Sequence, residues 1–217
     1  MNIYFVNYSD ENYKIKQNYL NSKASIFDGI FSYDREYLIA TEFYKENKKI
    51  LEEKRGSGYW IWKPYLLLDS MNKIKNGDVL FYLDCGDDFN TSLYDFLKNY
   101  HIENDIILTN GGYTNKCWTK RDAFILMDCD SPEYWDVIQL EAGILSLKKT
   151  NQNIKILEEW LLYCKNENIL TDIDNKHGDN FECFRDHRHD QSILTNIKVK
   201  YNLTSNDVLR NYVVCNV

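Results

Sequence analysis

Val79-Leu80-Phe81-Tyr82-Leu83 constrains what this chain can fold into more than any other segment. The apolar run is unbroken, Gly77-Asp78 turns the chain before it, and Asp84 ends it. A strand with one wet face alternates apolar and polar residues, whereas an unbroken run marks a strand covered on both faces. The covers are then helices, which gives an α/β domain with a mostly parallel central sheet flanked by helices. Ile3–Val6 reads as a first short strand, with Asp105–Leu108 and Gly143–Leu147 as further ones. The segment from Ala24 to Tyr33 reads as strand then loop. Ser9 or Asp10 caps a helix reaching about Ser22, and Asp34 caps one reaching about Lys54. A helix from about Trp60 to Lys75 carries Pro64 in its first turn and a core-facing stripe of Leu67, Met71 and Ile74. Thr119 with Asp122 has the form of a capping box for a helix through Met127. Ile154, Leu157, Leu161 and Cys164 mark another helix, and Asp190 to Ile197 a short last one.

No repeat or linker interrupts this pattern, so residues 1–217 are expected to form a single domain. The net charge of −7, without a basic run, argues against nucleic acid as a partner. No apolar run approaches the ~18 residues of a membrane span. Met1-Asn2-Ile3-Tyr4-Phe5 has the form of a strand and not of a signal peptide. A cytoplasmic protein is therefore expected, at most peripheral at the inner membrane face. Cys85, Cys117, Cys129, Cys164, Cys183 and Cys215, none in a CxxC pair, are expected as reduced thiols.

In open α/β sheets, ligands bind beyond the carboxyl ends of the strands. That rule singles out the loop after Val6 and the acidic loop Asp84-Cys85-Gly86-Asp87-Asp88. Clustered carboxylates hold a hard divalent cation or raise one another's pKa; a solvated Asp-rich turn is the plainer alternative. Arg55-Gly56-Ser57-Gly58-Tyr59-Trp60-Ile61-Trp62-Lys63-Pro64 adds a second candidate. A helix N-terminus favours an anion, Lys63 adds a full charge, and the aromatic faces suit a sugar or a base. The alternative is an aromatic core plug with a surface lysine.

The block from Gly58 to Asp84 resembles bacterial GT-A-type glycosyltransferases of the nucleotide-diphospho-sugar transferase superfamily. The likeness spans most of the chain through the order of its segments: Val6–Tyr13, Gly58–Asp84, Trp118–Asp122, Glu141–Ile144 and His189–Leu194. It implies a GT-A-type (Rossmann-like) fold and sugar transfer from a nucleoside diphosphate sugar to a carbohydrate or glycolipid acceptor, in surface polysaccharide synthesis. It further implies donor binding by Asn7, Tyr8, Tyr13, Trp60, Lys63, Asp84, Gly86 and His189. Asn7 and Tyr8 would hold the base, and Lys63 the leaving diphosphate. Asp190 and Gln191 would orient the donor sugar at the catalytic centre, with Glu141 as the base of an inverting reaction. Asp84 and Asp87 are the candidate ligands of Mn²⁺ or Mg²⁺, although Gly86 stands where the second Asp of an Asp-x-Asp motif would fall. That departure favours the rival reading of a non-catalytic nucleotide-sugar or carbohydrate-binding protein. His187-Arg188-His189-Asp190 suggests a zinc hydrolase, but no further histidine follows, and His101 and His177 are the only others.

Overall fold

The computed structural model describes residues 1–214; Cys215 lies outside them. Among the described residues seven strands form: β1 Ile3–Ser9, β2 Gly29–Asp34, β3 Val79–Leu83, β4 Asp88–Phe89, β5 Ile106–Thr114, β6 Ile138–Lys148 and β7 Val213–Val214. Five of them make the central sheet in the order β2-β1-β3-β6-β5, and β4 pairs with β7 apart from it. β1 is parallel to β2 and β3, while β6 is antiparallel to both β3 and β5. Four strands therefore share one direction and β6 alone is reversed, so the expected mostly parallel sheet is found.

β3 is buried throughout. Leu80 and Tyr82 enter one core, and Val79, Phe81 and Leu83 enter the other. The first core packs under α2 (Trp62–Lys73), α4 (Asn151–Cys164) and α5 (His189–Lys200). The second packs under α1 (Lys14–Lys23) and α3 (Leu93–Tyr100). This covering on both faces is what the apolar run requires.

Several local expectations are corrected. The helix expected over 34–54 is three short helices, Arg35–Ile39, Glu42–Glu46 and Lys48–Leu51, because Thr41 caps a fresh start. Thr119 caps nothing; its hydroxyl donates to Asn115, and the helix starts at Arg121. The helix expected from Trp60 begins at Trp62, since Trp60 is left-handed. Cys117 and Cys183 form a disulfide, whereas Cys85, Cys129 and Cys164 are free, so the expectation of six thiols fails. Among the described residues, no helix is long and apolar enough to cross a membrane.

Candidate active site

The carboxyl ends of β1 and β3 open side by side, and the reversed β6 brings its first half to the same edge. Asp84 N donates to Gly143 O at 2.9 Å. A cleft of about 540 Å³ lies here, lined on one side by Tyr8, Asp10, Tyr13 and Trp62, and on the other by Asp84, Gly86, Asp87 and Glu141. A smaller chamber of about 190 Å³ adjoins it, walled by Lys63, Gly143, Arg188, His189, Asp190 and Gln191. Trp60 and Asp84 belong to both.

Lys63 stands at the centre. Its Nζ donates to Ala142 O at 3.1 Å and lies 3.4 Å from Asp84 Oδ1 and 3.3 Å from Asp190 Oδ2. An ammonium has three protons, and three acceptors surround this one. Burial alone would push the Lys63 pKa down, but the carboxylates of Asp190 and Asp84 outweigh it and raise it. Burial lifts Asp190 to about 6, against the pull of Lys63 and with the repulsion of Asp84. Lys63 and Asp190 are 2% and 3% exposed, whereas the Asp84 side chain is 36% exposed and faces the cleft. Tyr82, two residues earlier and on the same face of the strand, donates its hydroxyl to Asp84 Oδ1. Lys63 was expected to reach the diphosphate; here its ammonium donates to Ala142 O and ion-pairs with Asp84 and Asp190, which ties those two carboxylates to one cation.

Two buried acceptors on residues that wall the chamber lack hydrogen-bond donors. Lys63 is near enough to Asp190 Oδ2 for ion pairing but is not aligned for a hydrogen bond, so that oxygen is buried and unsatisfied. His189 donates Nδ1–H to Leu170 O at 2.7 Å, which leaves Nε2 as the bare acceptor, also buried and unsatisfied. Burial pushes the His189 pKa down to about 4, so the ring is neutral near pH 7. His187 spends Nε2 on Ile169 O and Nδ1 on Lys120 N. With its ring nitrogens used in this way, the pair does not have the form of a zinc site.

The wall between the two cavities is strained. Gly56, Ser57, Gly58, Tyr59 and Trp60 all have positive φ, from 52° to 105°. A left-handed residue other than glycine costs roughly 1–2 kcal/mol. Arg55, ion-paired to Asp172 and Asp186, anchors the start of this turn, and Ser57 Oγ ties it to Asp10 at 2.9 Å. Strain held in this way clusters at functional sites. Trp60 ends the turn with its ring stacked on His189, which is itself left-handed at φ 48°.

The structure brings together Tyr8, Tyr13, Trp60, Asp84, Gly86, Asp87 and Glu141 in the cleft and Lys63, His189, Asp190 and Gln191 in the chamber. Asn7 is excluded. Strand alternation turns it away from Tyr8, and Gln17 and Asn21 occupy its amide. Glu141 is ion-paired with Arg210. Gln191 is wired into β6 through Ala142 N and Gln139. Sequence reasoning missed Tyr82, and took in Gly143 only as part of the Glu141–Ile144 segment, without a role of its own. Tyr82 was legible from strand alternation, because it shares the face of Leu80. A Cβ on Gly143 would sit 2.9 Å from Asp84 Oδ2, so glycine lets that carboxylate lie against the strand. Lys54, a cleft residue just before the glycine-rich turn, was also overlooked.

Among the described residues no group of three or more His, Cys, Asp or Glu converges to hold a metal ion. The donor set still suits a shared one: Mg²⁺ is usually held by one or two carboxylates together with substrate phosphates, not by an all-protein cage. Asp84 and Asp87, on one turn closed by Asp87 N to Asp84 O at 3.1 Å, would be the carboxylates to hold it.

No protein-family model matches the sequence, and no curated protein matches it. Among solved structures, the chain course is similar to mouse xyloside xylosyltransferase 1 in its apo form, at 12% identity and a TM-score of 0.48, over 94% of this chain and 71% of that one. It is also similar to a glycosyltransferase involved in glycosylation of the major capsid of PBCV-1, at 10% identity and 0.45, over 95% and 83%. A third is the galactosyltransferase LgtC in complex with donor and acceptor sugar analogs, at 12% identity and 0.44, over 89% and 70%. These likenesses concern the course of the chain alone.

Proposed function

We propose that the chain is a glycosyltransferase that moves a sugar from a nucleoside diphosphate sugar to a carbohydrate or glycolipid acceptor, in the synthesis of a surface polysaccharide. The observation that carries this reading is the chamber with two buried acceptors, His189 Nε2 and Asp190 Oδ2, beside a cleft lined by aromatic rings. A polyhydroxyl group supplies the donors those atoms lack. The base stacks among Tyr8, Tyr13 and Trp62; Tyr8 and Trp62 already stack at 4.0 Å. The diphosphate lies against the Asp84–Asp87 turn, with Lys54 as the cationic side chain of the cleft wall. A Mn²⁺ or Mg²⁺ ion held there by Asp84 and Asp87 would offset the charge that grows on the leaving diphosphate.

The transferred sugar enters the chamber. Asp190 and His189 orient its hydroxyls, and Lys63 fixes the carboxylates at one spacing. The acceptor hydroxyl oxygen forms the new bond to the anomeric carbon. The old carbon–oxygen bond breaks with its electron pair on the diphosphate, which leaves as the acceptor proton passes to base. Glu141 is the base of an inverting course, in which its carboxylate must leave Arg210, and the placement of Gln191 fits a retaining one.

We place the enzyme in the cytoplasm, peripheral at the membrane. Cys117–Cys183 weighs toward an oxidising compartment, where such bridges persist. Mass analysis of the alkylated native protein decides between them. The functional reading itself is tested by soaking crystals with uridine or guanosine diphosphate. The nucleotide is expected between Tyr8–Tyr13 and Asp84; density at the other edge of the sheet, or none, contradicts it.

A further inference from the structure

Beyond Asn110, β5 slips out of register with β6 until Thr114. Two glycines permit the departure. A Cβ on Gly111 would meet Leu140 O at 2.9 Å, and Gly112 has φ +81°. The bulge lifts Tyr113 to 50% exposure and sets its ring 5.0 Å from that of Trp118. Bulges that re-aim a side chain are conformational features found beside working sites. The Trp118 ring is held in turn. The Arg188 guanidinium lies 4.5 Å over it, and Trp118 O accepts from Arg188 N at 3.0 Å and Ser192 Oγ at 2.9 Å. Arg188 also walls the small chamber. The three side chains thus form a shelf continuous with the chamber. It lies on the β5–β6 side of the sheet, whereas the aromatic end of the cleft lies at β1.

We infer that this shelf receives the acceptor, a carbohydrate whose apolar ring face lies on Tyr113 and Trp118 and whose hydroxyls meet Arg188. The inference rests on the glycosyl-transfer reading above. With the nucleotide over β1 and β3 and the transferred sugar in the chamber, the acceptor approaches over β6 and β5, where the shelf stands. Flat rings carrying a polar handle suit the C–H face of a sugar. An exposed tyrosine raised on a two-glycine bulge gains little from packing, so its placement points outward, to a ligand.

The test applies labelled protein to a printed array of monosaccharides and oligosaccharides, and measures uridine and guanosine diphosphate binding separately by calorimetry. The parent, Tyr113→Ala, Tyr113→Phe and a control at Ile102, an apolar residue 71% exposed elsewhere, are compared. The parent, Tyr113→Phe and Ile102→Ala are expected to bind the same glycans. Tyr113→Ala is expected to bind them about three- to tenfold more weakly, with nucleotide affinity unchanged. A parent that binds no glycan, or Tyr113→Ala that binds as well as the parent, overturns the shelf. Glycan binding that depends on Tyr113 in a protein that takes up no nucleotide keeps the shelf and overturns the transferase reading.

Discussion

Replacing Lys63 with methionine removes the one cation between two carboxylates and leaves a side chain of similar length in the core. Asp190, 3% exposed and facing Lys63 at 3.3 Å, then has no counter-charge. Breaking a buried ion pair by removing one partner costs about 3–5 kcal/mol. The pH dependence separates this from lost packing. Asp190 sits at about 6 in the folded protein against an ordinary 3.8. Between roughly those values the folded protein keeps a proton that the unfolded chain has released. Stability therefore falls as pH rises through that window and levels off above it. At ~1.4 kcal/mol per tenfold in ionisation, the fall in the parent is about 3 kcal/mol. Without Lys63 the Asp190 pKa rises further, so the fall continues to higher pH. Urea unfolding followed by tryptophan fluorescence at about pH 5 and about pH 8 measures it. Lys63→Met is expected to be much less stable than the parent at the higher pH and only slightly less stable at the lower. Adding Asp190→Asn should restore most of the loss, as coupled neighbours do. A loss equal at both pH values, or no rescue by Asp190→Asn, would refute the charge argument and leave Lys63 as packing.

Other outcomes follow from the same geometry. Gly143→Ala places a methyl group 2.9 Å from Asp84 Oδ2, so donor turnover should fall at least about tenfold while urea unfolding changes little; unchanged turnover would mean that the position of Asp84 is not critical. Gly56→Ala combines φ +56° with a contact 2.3 Å from the Trp60 ring, and should cost about 1–3 kcal/mol in the same unfolding assay. Cys117→Ser with Cys183→Ser opens a loop of sequence separation 66, and the chain-entropy relation gives a loss of about 4 kcal/mol by calorimetric unfolding. Thiols that titrate freely in the untreated parent protein would contradict that bridge.

The fold was legible where one segment carried its own constraint. The β3 run demanded cover on both faces, and its end at Asp84 fixed the edge at which the site would lie. Strand direction was not legible, because nothing local in Gly143–Leu147 says that β6 runs against β3; pairing with a distant strand decides it. The same holds for roles in the site. Lys63 was found from its motif, but its partners are Asp84, Ala142 and Asp190, which only the fold assembles. Asn7 differs for the opposite reason: period-two alternation in Val6-Asn7-Tyr8 already turns it away from Tyr8, and the motif was read without it. The left-handed turn was hidden because Ser57, Tyr59 and Trp60 are residues that rarely adopt positive φ, and only Gly56 and Gly58 hinted at it.

Turnover of a donor panel tests the central claim most directly. The parent protein and Asp84→Asn are incubated with uridine, guanosine and cytidine diphosphate sugars, with and without Mn²⁺, and release of the nucleoside diphosphate is followed. The parent is expected to hydrolyse one donor slowly. Asp84→Asn, which keeps the shape and removes the charge, should be slower by about tenfold to a hundredfold while the protein stays folded, since Asp190 still pairs with Lys63. Binding of donors without turnover in any acceptor mixture, or an Asp84→Asn protein within a few-fold of the parent, would contradict the assignment of this cleft as the active site of a glycosyltransferase.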